Sequence, residues 1–365
     1  IERRISISIV PYNGQVNLGT NLRQKFNVSH LHGTTNVNCI DLPSTAYDDV
    51  TLSRTTPMPQ TAHADTFTGT NFDNWYHAIQ GHQTNATNNW CPPRAGNIVR
   101  PLGHAITTLH TQINGLEAVG ATSINAGMRW GLTLLDPAMR TMVTQLVAEN
   151  VVNTSFQGRP FDWDDEEAMK VVILMTDGQH FAEERVTDTY RSGMAPIWYS
   201  SSANAFAIQH TSNRPSSAGS NQYWYPARNS GNGEWRSGVM SGYVQQTWPQ
   251  VWARARLSWV AWQLYARALG TSGSSRDSWY AHWMSQFRIR TNTGNMDDQL
   301  ALVCDLAKDR GVIVYGIAFE APDHGEDVIE DCSSGPDFFY RAQGSEIGLV
   351  FDSIASNISN LRLTQ

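Results

Sequence analysis

Two continuous apolar runs dominate the pattern of hydrophobic and polar positions along the chain. Residues 170–176 and 311–319 are apolar at nearly every position, which is typical of strands buried on both faces at the centre of a parallel sheet. Residues 297–310 precede the second run, begin with an Asp able to cap a helix, and carry apolar residues at helical spacing. This order predicts a helix that leads directly into a buried strand.

Shorter patterns extend this unit toward both ends of the chain. Alternating apolar and polar residues predict a half-buried strand at 4–10, and a third apolar stretch predicts a short strand at 338–342. Helical spacing predicts helices at 106–116, at 124–135 and after Ser345. The apolar face of the first of these helices consists of Ile106, Leu109, Ile113 and Leu116. Alternating strands and helices indicate an α/β fold with a doubly wound, mostly parallel, Rossmann-like sheet.

Two segments do not follow the α/β pattern. Residues 11–100 are rich in Thr, Asn, Pro and Gly and lack periodicity, which predicts a long decorated loop region. Residues 179–295 hold 9 of the 13 Trp, and their 11 Arg against 5 Asp and Glu give +6, which leaves −13 for the rest of the chain. We therefore expect one α/β domain, 1–178 and 296–365, interrupted by a basic, Trp-rich and largely helical insertion at 179–295.

Within the insertion, residues 244–269 predict a long amphipathic helix with a wide aromatic stripe. The stripe tryptophans are Trp248, Trp252, Trp259 and Trp262. Two interpretations are open. The stripe packs the insertion against the α/β domain, or it forms a partner-binding surface, since Trp, Tyr and Arg dominate the hot spots of interfaces.

Composition and charge exclude several classes of protein. With 365 residues, 41% of them apolar, the chain is able to bury a substantial core. The net charge of −7 and the pI near 5.9 argue against nucleic acid or an anionic membrane surface as the main partner. No apolar run approaches the roughly 18 residues that cross a bilayer.

Four cysteines, Cys39, Cys91, Cys304 and Cys332, are spaced too widely for a zinc knuckle or a redox pair. They permit three pairings into two disulfides, and four buried free thiols are the alternative. We favour Cys39 with Cys91 and Cys304 with Cys332, because each bridge closes a loop within one region of the chain. Such disulfides imply an oxidising compartment.

The candidate chemistry lies at the end of the first apolar run. Asp177 and Gly178 follow that run directly, and Thr122 lies on the loop before the helix at 124–135. Ligands of doubly wound sheets bind at the carboxyl ends of the strands. One carboxylate and one hydroxyl suit a hard divalent cation, Mg²⁺ above all, or Ca²⁺ or Mn²⁺. A cap or turn role for Asp177 is the structural alternative.

Several motifs together resemble a known family. They are Val-Val-Ile-Leu-Met-Thr-Asp-Gly at 171–178, Gly-Ala-Thr at 120–122, and the stretches at 4–12, 122–131, 311–319, 332–334 and 351–365. They resemble a von Willebrand factor type A domain, and more closely the TadG-type pilus-assembly proteins of bacterial tight-adherence (Flp) systems. The resemblance implies a non-enzymatic, extracytoplasmic protein of the periplasm or cell surface. It would bind pilus or envelope components in pilus assembly or surface attachment, and an N-terminal helix outside this sequence would anchor it in the membrane.

One part of the family pattern is missing. In this fold the metal-ion-dependent adhesion site begins with Asp-x-Ser-x-Ser at the end of the first, central strand, and this motif does not occur in the sequence. The resemblance therefore implies that a segment upstream of Ile1, or a second chain, supplies that strand and the remaining metal ligands. An unfilled place for a central strand would expose two rows of unpaired backbone groups. We expect an additional strand beside residues 170–176.

Other functions have weaker signals. The pairs His30 with His32 and His77 with His82 suggest a zinc-dependent hydrolase, but neither has the helical spacing of a zinc protease. The acidic run at 162–167 suggests calcium binding, but it lacks the spacing of an EF-hand loop. A further alternative is a structural assembly component with a vestigial metal site, which binds its partners through the tryptophan stripe.

Overall fold

A computed structural model describes residues 5–64, 74–83 and 89–363. Over these ranges the chain is a mixed α/β protein with several small sheets, the largest of which has five antiparallel strands. Every helix in these ranges is too short or too polar to span a bilayer. The predicted α/β class is confirmed at this level.

The strands are, in chain order, β1 (Ile7–Ile9), β2 (Val28–Ser29), β3 (Met58–Pro59), β4 (Arg100–Gly103), β5 (Val171–Thr176), β6 (Glu183–Val186), β7 (Met194–Ser200), β8 (Ala205–Gln209), β9 (Tyr223–Tyr225), β10 (Glu234–Arg236), β11 (Val244–Thr247), β12 (Arg288–Thr291), β13 (Ile313–Phe319) and β14 (Phe339–Ala342). The α-helices are α1 (Gly19–Arg23), α2 (Ile106–Asn114), α3 (Ile124–Leu135), α4 (Arg140–Ala148), α5 (Trp248–Trp252), α6 (Leu257–Trp259), α7 (Arg267–Leu269), α8 (Gly273–Phe287), α9 (Thr293–Asp309), α10 (Asp323–Cys332) and α11 (Ile347–Leu363). A π-helical segment (Val260–Ala266) joins α6 to α7.

The three-stranded parallel sheet has the order β14-β13-β5. β5 and β13 pair from Val171 opposite Ile313 to Thr176 opposite Ala318. The prediction that the two apolar runs are parallel strands is confirmed, and the structure shows that they are neighbours. On one face, β13 contributes Val314 to the core that also contains α3 and α9. On the other face, its alternate side chains pack under α11. A strand buried on both faces is continuously apolar for this reason.

The described strands do not form one doubly wound sheet. The strand predicted at 4–10 is present as β1. Arg4 lies outside the described residues, as does Ile1. β1 pairs antiparallel with β4 in a separate two-stranded sheet. The parallel sheet ends at β5, whose only strand neighbour among the described residues is β13. The single larger sheet expected from the sequence is therefore divided into two parts.

The helix predicted after His104 is present as α2, but most of its apolar stripe faces solvent. Ile106 and Ile113 are exposed, and so is Leu116, which lies beyond the end of the helix. Leu109 packs against Gly103 at the end of β4, where the Cβ position lies 3.0 Å from the leucine side chain. α2 thus keeps an apolar face that no described residue covers.

The described residues of the segment 11–100 form only short helices and strands, and the segment is held by core packing and by an internal disulfide. Its apolar side chains, among them Val16, Ile40 and Leu42, belong to the same core as α3. The Cys39–Cys91 disulfide spans 52 residues of the segment.

The Cys304–Cys332 disulfide joins the helices on either side of β13. Cys304 lies in α9 and Cys332 ends α10, and the bridge spans 28 residues. Both disulfides have the pairing favoured from the sequence, so that prediction is confirmed and free thiols are excluded. Two disulfides indicate an oxidising, extracytoplasmic environment.

The insertion at 179–295 is not largely helical. Its centre is the antiparallel sheet β10-β9-β8-β7-β11, and the helices from α5 to α8 pack their aromatic side chains against it. The helix predicted at 244–269 is wrong in its first part, because residues Val244–Thr247 form β11, paired with β7. The rest divides into α5 and the segment from Leu257 to Leu269, with a break at 253–256.

Candidate functional site

The two candidate cation ligands lie at the carboxyl end of β5, as predicted. Asp177 follows β5 and is exposed, whereas Thr122 is half-buried on the loop before α3. The two loops touch, since the Phe181 N–H donates to the Thr122 carbonyl over 2.9 Å. In addition, the Cβ position of Gly178 lies 3.5 Å from Thr122 Oγ1. We call this end of the parallel sheet, which carries Thr122, Asp177 and His180, the mouth.

Gly325 allows the first turn of α10 to lie against the turn that follows β5. A Cβ at Gly325 would overlap the Gly178 carbonyl, so a larger residue there would push the first turn of α10 away. The N-terminal ends of helices carry partial positive charge and favour nearby carboxylates. α10 therefore begins beside the loop that carries Asp177 in an orientation that suits an acidic group.

Tyr12 lies beside the mouth, in contact with the end of β5 and with α3. The sequence did not identify it as a residue of the site. Its hydroxyl donates to the Met175 carbonyl over 2.5 Å, and its ring packs against α3 where Gly127 leaves room. Burial raises the pKa of Tyr12 well above its usual value, and the charge of Asp177 raises it further. Tyr12 is therefore a neutral hydrogen-bond donor that joins the end of β1 to the end of β5.

β1 and β5 do not pair, but hydrogen bonds near both ends of the two strands link them through neighbouring residues. Near their starts, Arg159 Nη1 donates to Ser6 Oγ over 2.6 Å and Lys170 Nζ donates to the Phe161 carbonyl over 2.7 Å, which places both starts beside the segment 159–161. Tyr12 joins their ends. Among the described strands, β1 pairs only with β4 and β5 only with β13. We call the unpaired region between the two strands the open strip.

Apolar side chains are exposed along the open strip. Ile173 and Met175 on β5 are 40% and 43% exposed, whereas Leu174 between them is 4% exposed in the core on the opposite face. Ile7 on β1 is exposed as well. Unpaired strand edges bordered by apolar side chains are ready-made sites for another strand.

A hydrogen-bonded cluster lies on the inner side of the mouth. His180 Nδ1 lies 2.6 Å from Asp297 Oδ1, and His324 Nε2 lies 3.0 Å from Asp297 Oδ2. The Asn125 N–H, in the first turn of α3, donates to His180 Nε2 over 3.1 Å. The cluster joins the loop after β5 to α3, α9 and α10. Sequence reasoning missed it, because its members are distant in sequence and no local motif contains them.

The donor set at the mouth fits a hard cation in type but not in number. A carboxylate and a hydroxyl are oxygen donors of the kind that Mg²⁺ prefers. The part of the chain that the structure describes has no group of three or more His, Cys, Asp or Glu side chains able to hold a metal ion. Thr122 and Asp177 alone leave most of a six-oxygen shell to water or to other ligands. The remaining ligands are expected upstream of Ile1, which itself lies outside the described residues, so their source stays a prediction.

Most of the stripe tryptophans lie inside the insertion. Trp248, Trp252 and Trp259 are buried in its core. The indole N–H of Trp252 donates to the Tyr190 carbonyl over 2.7 Å, and that of Trp259 to the Ala78 carbonyl over 3.0 Å. These three side chains pack the insertion and are not available to a partner in this structure.

Trp262 differs from the other three tryptophans of the stripe. It is only half-buried, with its ring 4.4 Å from that of His77 and 5.8 Å from that of Tyr280, measured between ring centroids.

The histidines considered for zinc make other contacts. His32 uses both ring nitrogens, with the Thr61 carbonyl and the Thr34 N–H, and His82 Nε2 lies 3.2 Å from Asn204 Oδ1. Burial lowers the pKa of both rings. These contacts are those of structural histidines.

The acidic run at 162–167 includes an ion pair at the surface. Asp162 pairs with Arg140 over 2.9 Å, and Asp165 accepts from the Glu167 N–H. One carboxylate of the run is thus already paired with a cation of the protein.

No protein-family model, curated protein or solved structure matches this chain. The resemblance of its motifs to TadG-type proteins therefore stays a prediction.

Proposed function

We propose that this chain is an extracytoplasmic interaction protein of a tight-adherence (Flp) pilus system, acting in pilus assembly or surface attachment. The observation that carries the proposal is the meeting of the Thr122 and Asp177 loops at the carboxyl end of β5. That end of an open α/β sheet is where ligands bind. The motif resemblance supports the pilus context, and the two disulfides are consistent with a periplasmic or cell-surface location.

The proposal includes a completed sheet. A strand in the open strip would pair with β1 on one side and β5 on the other, giving the order β4-β1-strand-β5-β13-β14. This would unite the two-stranded and three-stranded sheets into one doubly wound sheet of the von Willebrand A type. The exposed Ile173 and Met175 support the proposal, because an additional strand and the helix that follows it would cover them. A segment upstream of Ile1 or a second chain supplies this strand.

The chemistry proposed for the mouth is the binding of one divalent cation. Asp177 would contribute a carboxylate oxygen and Thr122 a hydroxyl oxygen, and the added strand the ligands that this chain lacks. An acidic group of a protein partner then completes the shell, because a divalent cation held by few anionic ligands retains positive charge. Partner binding would therefore depend on the cation.

An assembly role through the tryptophan stripe has less support. Three of its four tryptophans are buried in the core of the insertion. The histidines that a zinc hydrolase would need are engaged in separate contacts.

The test is the binding of the full-length protein, purified from its native envelope with the chains that accompany it, to purified Flp pili. Binding is measured by surface plasmon resonance with Mg²⁺ or with excess chelator. We expect chelation and Asp177→Ala each to weaken binding at least about tenfold, which corresponds to roughly 1.4 kcal/mol.

The matched control is Asp164→Ala, which removes an exposed carboxylate away from the mouth and should leave binding unchanged. Circular dichroism verifies that both variants fold. Undiminished binding in chelator and in Asp177→Ala would overturn the cation mechanism.

A further inference from the structure

The position of the proton on His180 follows from its two hydrogen bonds. Nε2 accepts from the Asn125 N–H, so that nitrogen carries a lone pair. Nδ1 must then carry the ring proton, which it donates to Asp297. The His180 side chain is fully buried. The fold therefore holds this imidazole in its neutral form and in one tautomer.

We propose that His180 is an acid-sensitive latch of the mouth, in which uptake of a proton at Nε2 releases the first turn of α3 and the adjoining loop with Thr122. A protonated Nε2 is a donor, and it would point at the Asn125 N–H, which is also a donor. A buried N–H without an acceptor is strongly destabilising, so one of the two groups must move. α3 begins at Ile124, two residues after Thr122, so movement of its first turn changes the mouth.

Two other titratable groups face His180, Asp297 from α9 and His324 from α10. Burial lowers the pKa of His180, while its hydrogen bond to Asp297 and the charge of that carboxylate act in the opposite direction, and His324 adds to the lowering. Burial prevails. The ring is therefore neutral at neutral pH, and its contribution to stability is present above about pH 6.5 and lost as the pH falls toward its lowered pKa.

His324 supplies a natural control. It is half exposed and bonds the second oxygen of Asp297 through Nε2. It keeps this bond when the ring gains a proton, since an Nε2–H donates to the carboxylate in either form. Protonation of His324 therefore leaves the bond to α3 intact, whereas protonation of His180 breaks it.

The latch is tested by hydrogen exchange of the peptide that covers 120–131, measured by mass spectrometry at about pH 5 and about pH 7.5 and corrected for the intrinsic exchange rate. In the parent protein we expect exchange to be faster at the lower pH, on the order of tenfold. His180→Gln retains an acceptor for the Asn125 N–H but does not titrate, so it should abolish the acceleration. His324→Gln should retain it.

Equal acceleration in His180→Gln and the parent, or none in the parent, would overturn the latch. If His180→Gln does not fold, ¹⁵N NMR of the parent decides. Nε2 must be unprotonated at neutral pH and titrate in step with the Asn125 amide, and a proton on Nε2 at neutral pH contradicts the proposal. The exchange experiment uses no cation and no partner, so its failure is distinguishable from failure of the proposed function.

Discussion

The Arg191 guanidinium and the Asp41 carboxylate form an ion pair that is buried on both sides, with 4% and 1% of their side chains exposed and 2.5 Å between Nη2 and Oδ2. The same groups bond neighbouring polar atoms: Arg191 Nη1 donates to the Gln60 carbonyl, and Asp41 Oδ1 accepts from Thr61 Oγ1. Arg191 belongs to the insertion and Asp41 to the segment 11–100. The pair therefore fixes the insertion to the domain that carries the mouth.

Asp41→Ala should destabilise the protein by about 3–5 kcal/mol, because it removes the buried partner of Arg191 and leaves that buried charge only the exposed Asp188 carboxylate. Urea unfolding followed by tryptophan fluorescence measures this loss. The control is Asp162→Ala, which removes the exposed partner of Arg140 and should change stability by no more than about 1 kcal/mol. Similar losses in the two variants would contradict the assigned burial.

Removing either disulfide by paired Cys→Ala substitution should lower stability by about 4 kcal/mol. The reason is the entropy that the unfolded chain regains when loops of 52 and 28 residues are no longer closed. Differential scanning calorimetry of each double variant measures the effect. An unchanged melting temperature in the Cys304/Cys332 variant would show that the bridge does not restrain α9 and α10.

Glu183 gives a pH dependence of the opposite sign to that of His180. It is buried, accepts from Gln15 Nε2, and burial raises its pKa to about 7. The folded state thus favours the protonated form, and the stability from this group is present below about pH 4.5 and lost as the pH rises through about 7. Glu183→Gln should remove a penalty of up to about 3 kcal/mol at pH 8.

Unfolding free energies of Glu183→Gln and its parent, compared at each pH, measure this effect. The comparison at each pH matters because His180 contributes with the opposite slope over part of the range. Glu167→Gln, an exposed control, should follow the parent. A constant difference between Glu183→Gln and the parent from pH 4 to pH 8 would contradict the raised pKa.

Substitutions at two neighbouring residues of β5 should differ strongly in how much stability they cost. In the isolated chain, Ile173→Thr should change stability by no more than about 0.5 kcal/mol because the side chain is exposed. Leu174→Ala should cost about 2–5 kcal/mol because it leaves a cavity in the core. Urea unfolding measures both. An equal loss in both variants would show that Ile173 is already covered in this chain.

The central strands were predictable and the helix at 244–269 was not, for physical reasons. β13 is buried on both faces and β5 on one, and continuous apolar runs of this length leave little choice of structure. At 244–269 the aromatic spacing fits a helix throughout, but Thr247 and Gln250 form a capping box around Pro249 that starts α5 at Trp248. That local signal is visible in the sequence and defines the boundary better than the periodicity does.

The mouth was only partly predictable. Asp177 and Thr122 stand beside a strand and a helix that the sequence indicates, so their meeting follows from the fold. The prediction that Asp297 caps the helix before β13 was wrong. Asn292 caps α9, and Asp297 lies inside the helix, where it is bonded to His180. Such contacts join residues more than a hundred positions apart, and no local pattern encodes them.

The two disulfides also determine how far the chain extends under tension. A bridge removes the enclosed residues from the extensible length, since force on the chain passes through the S–S bond. At roughly 3.5 Å per residue, the Cys304–Cys332 loop withholds about 100 Å and the Cys39–Cys91 loop about 180 Å. β13 and most of the segment 11–100 therefore cannot be drawn out by pulling on the chain ends while the bridges remain intact.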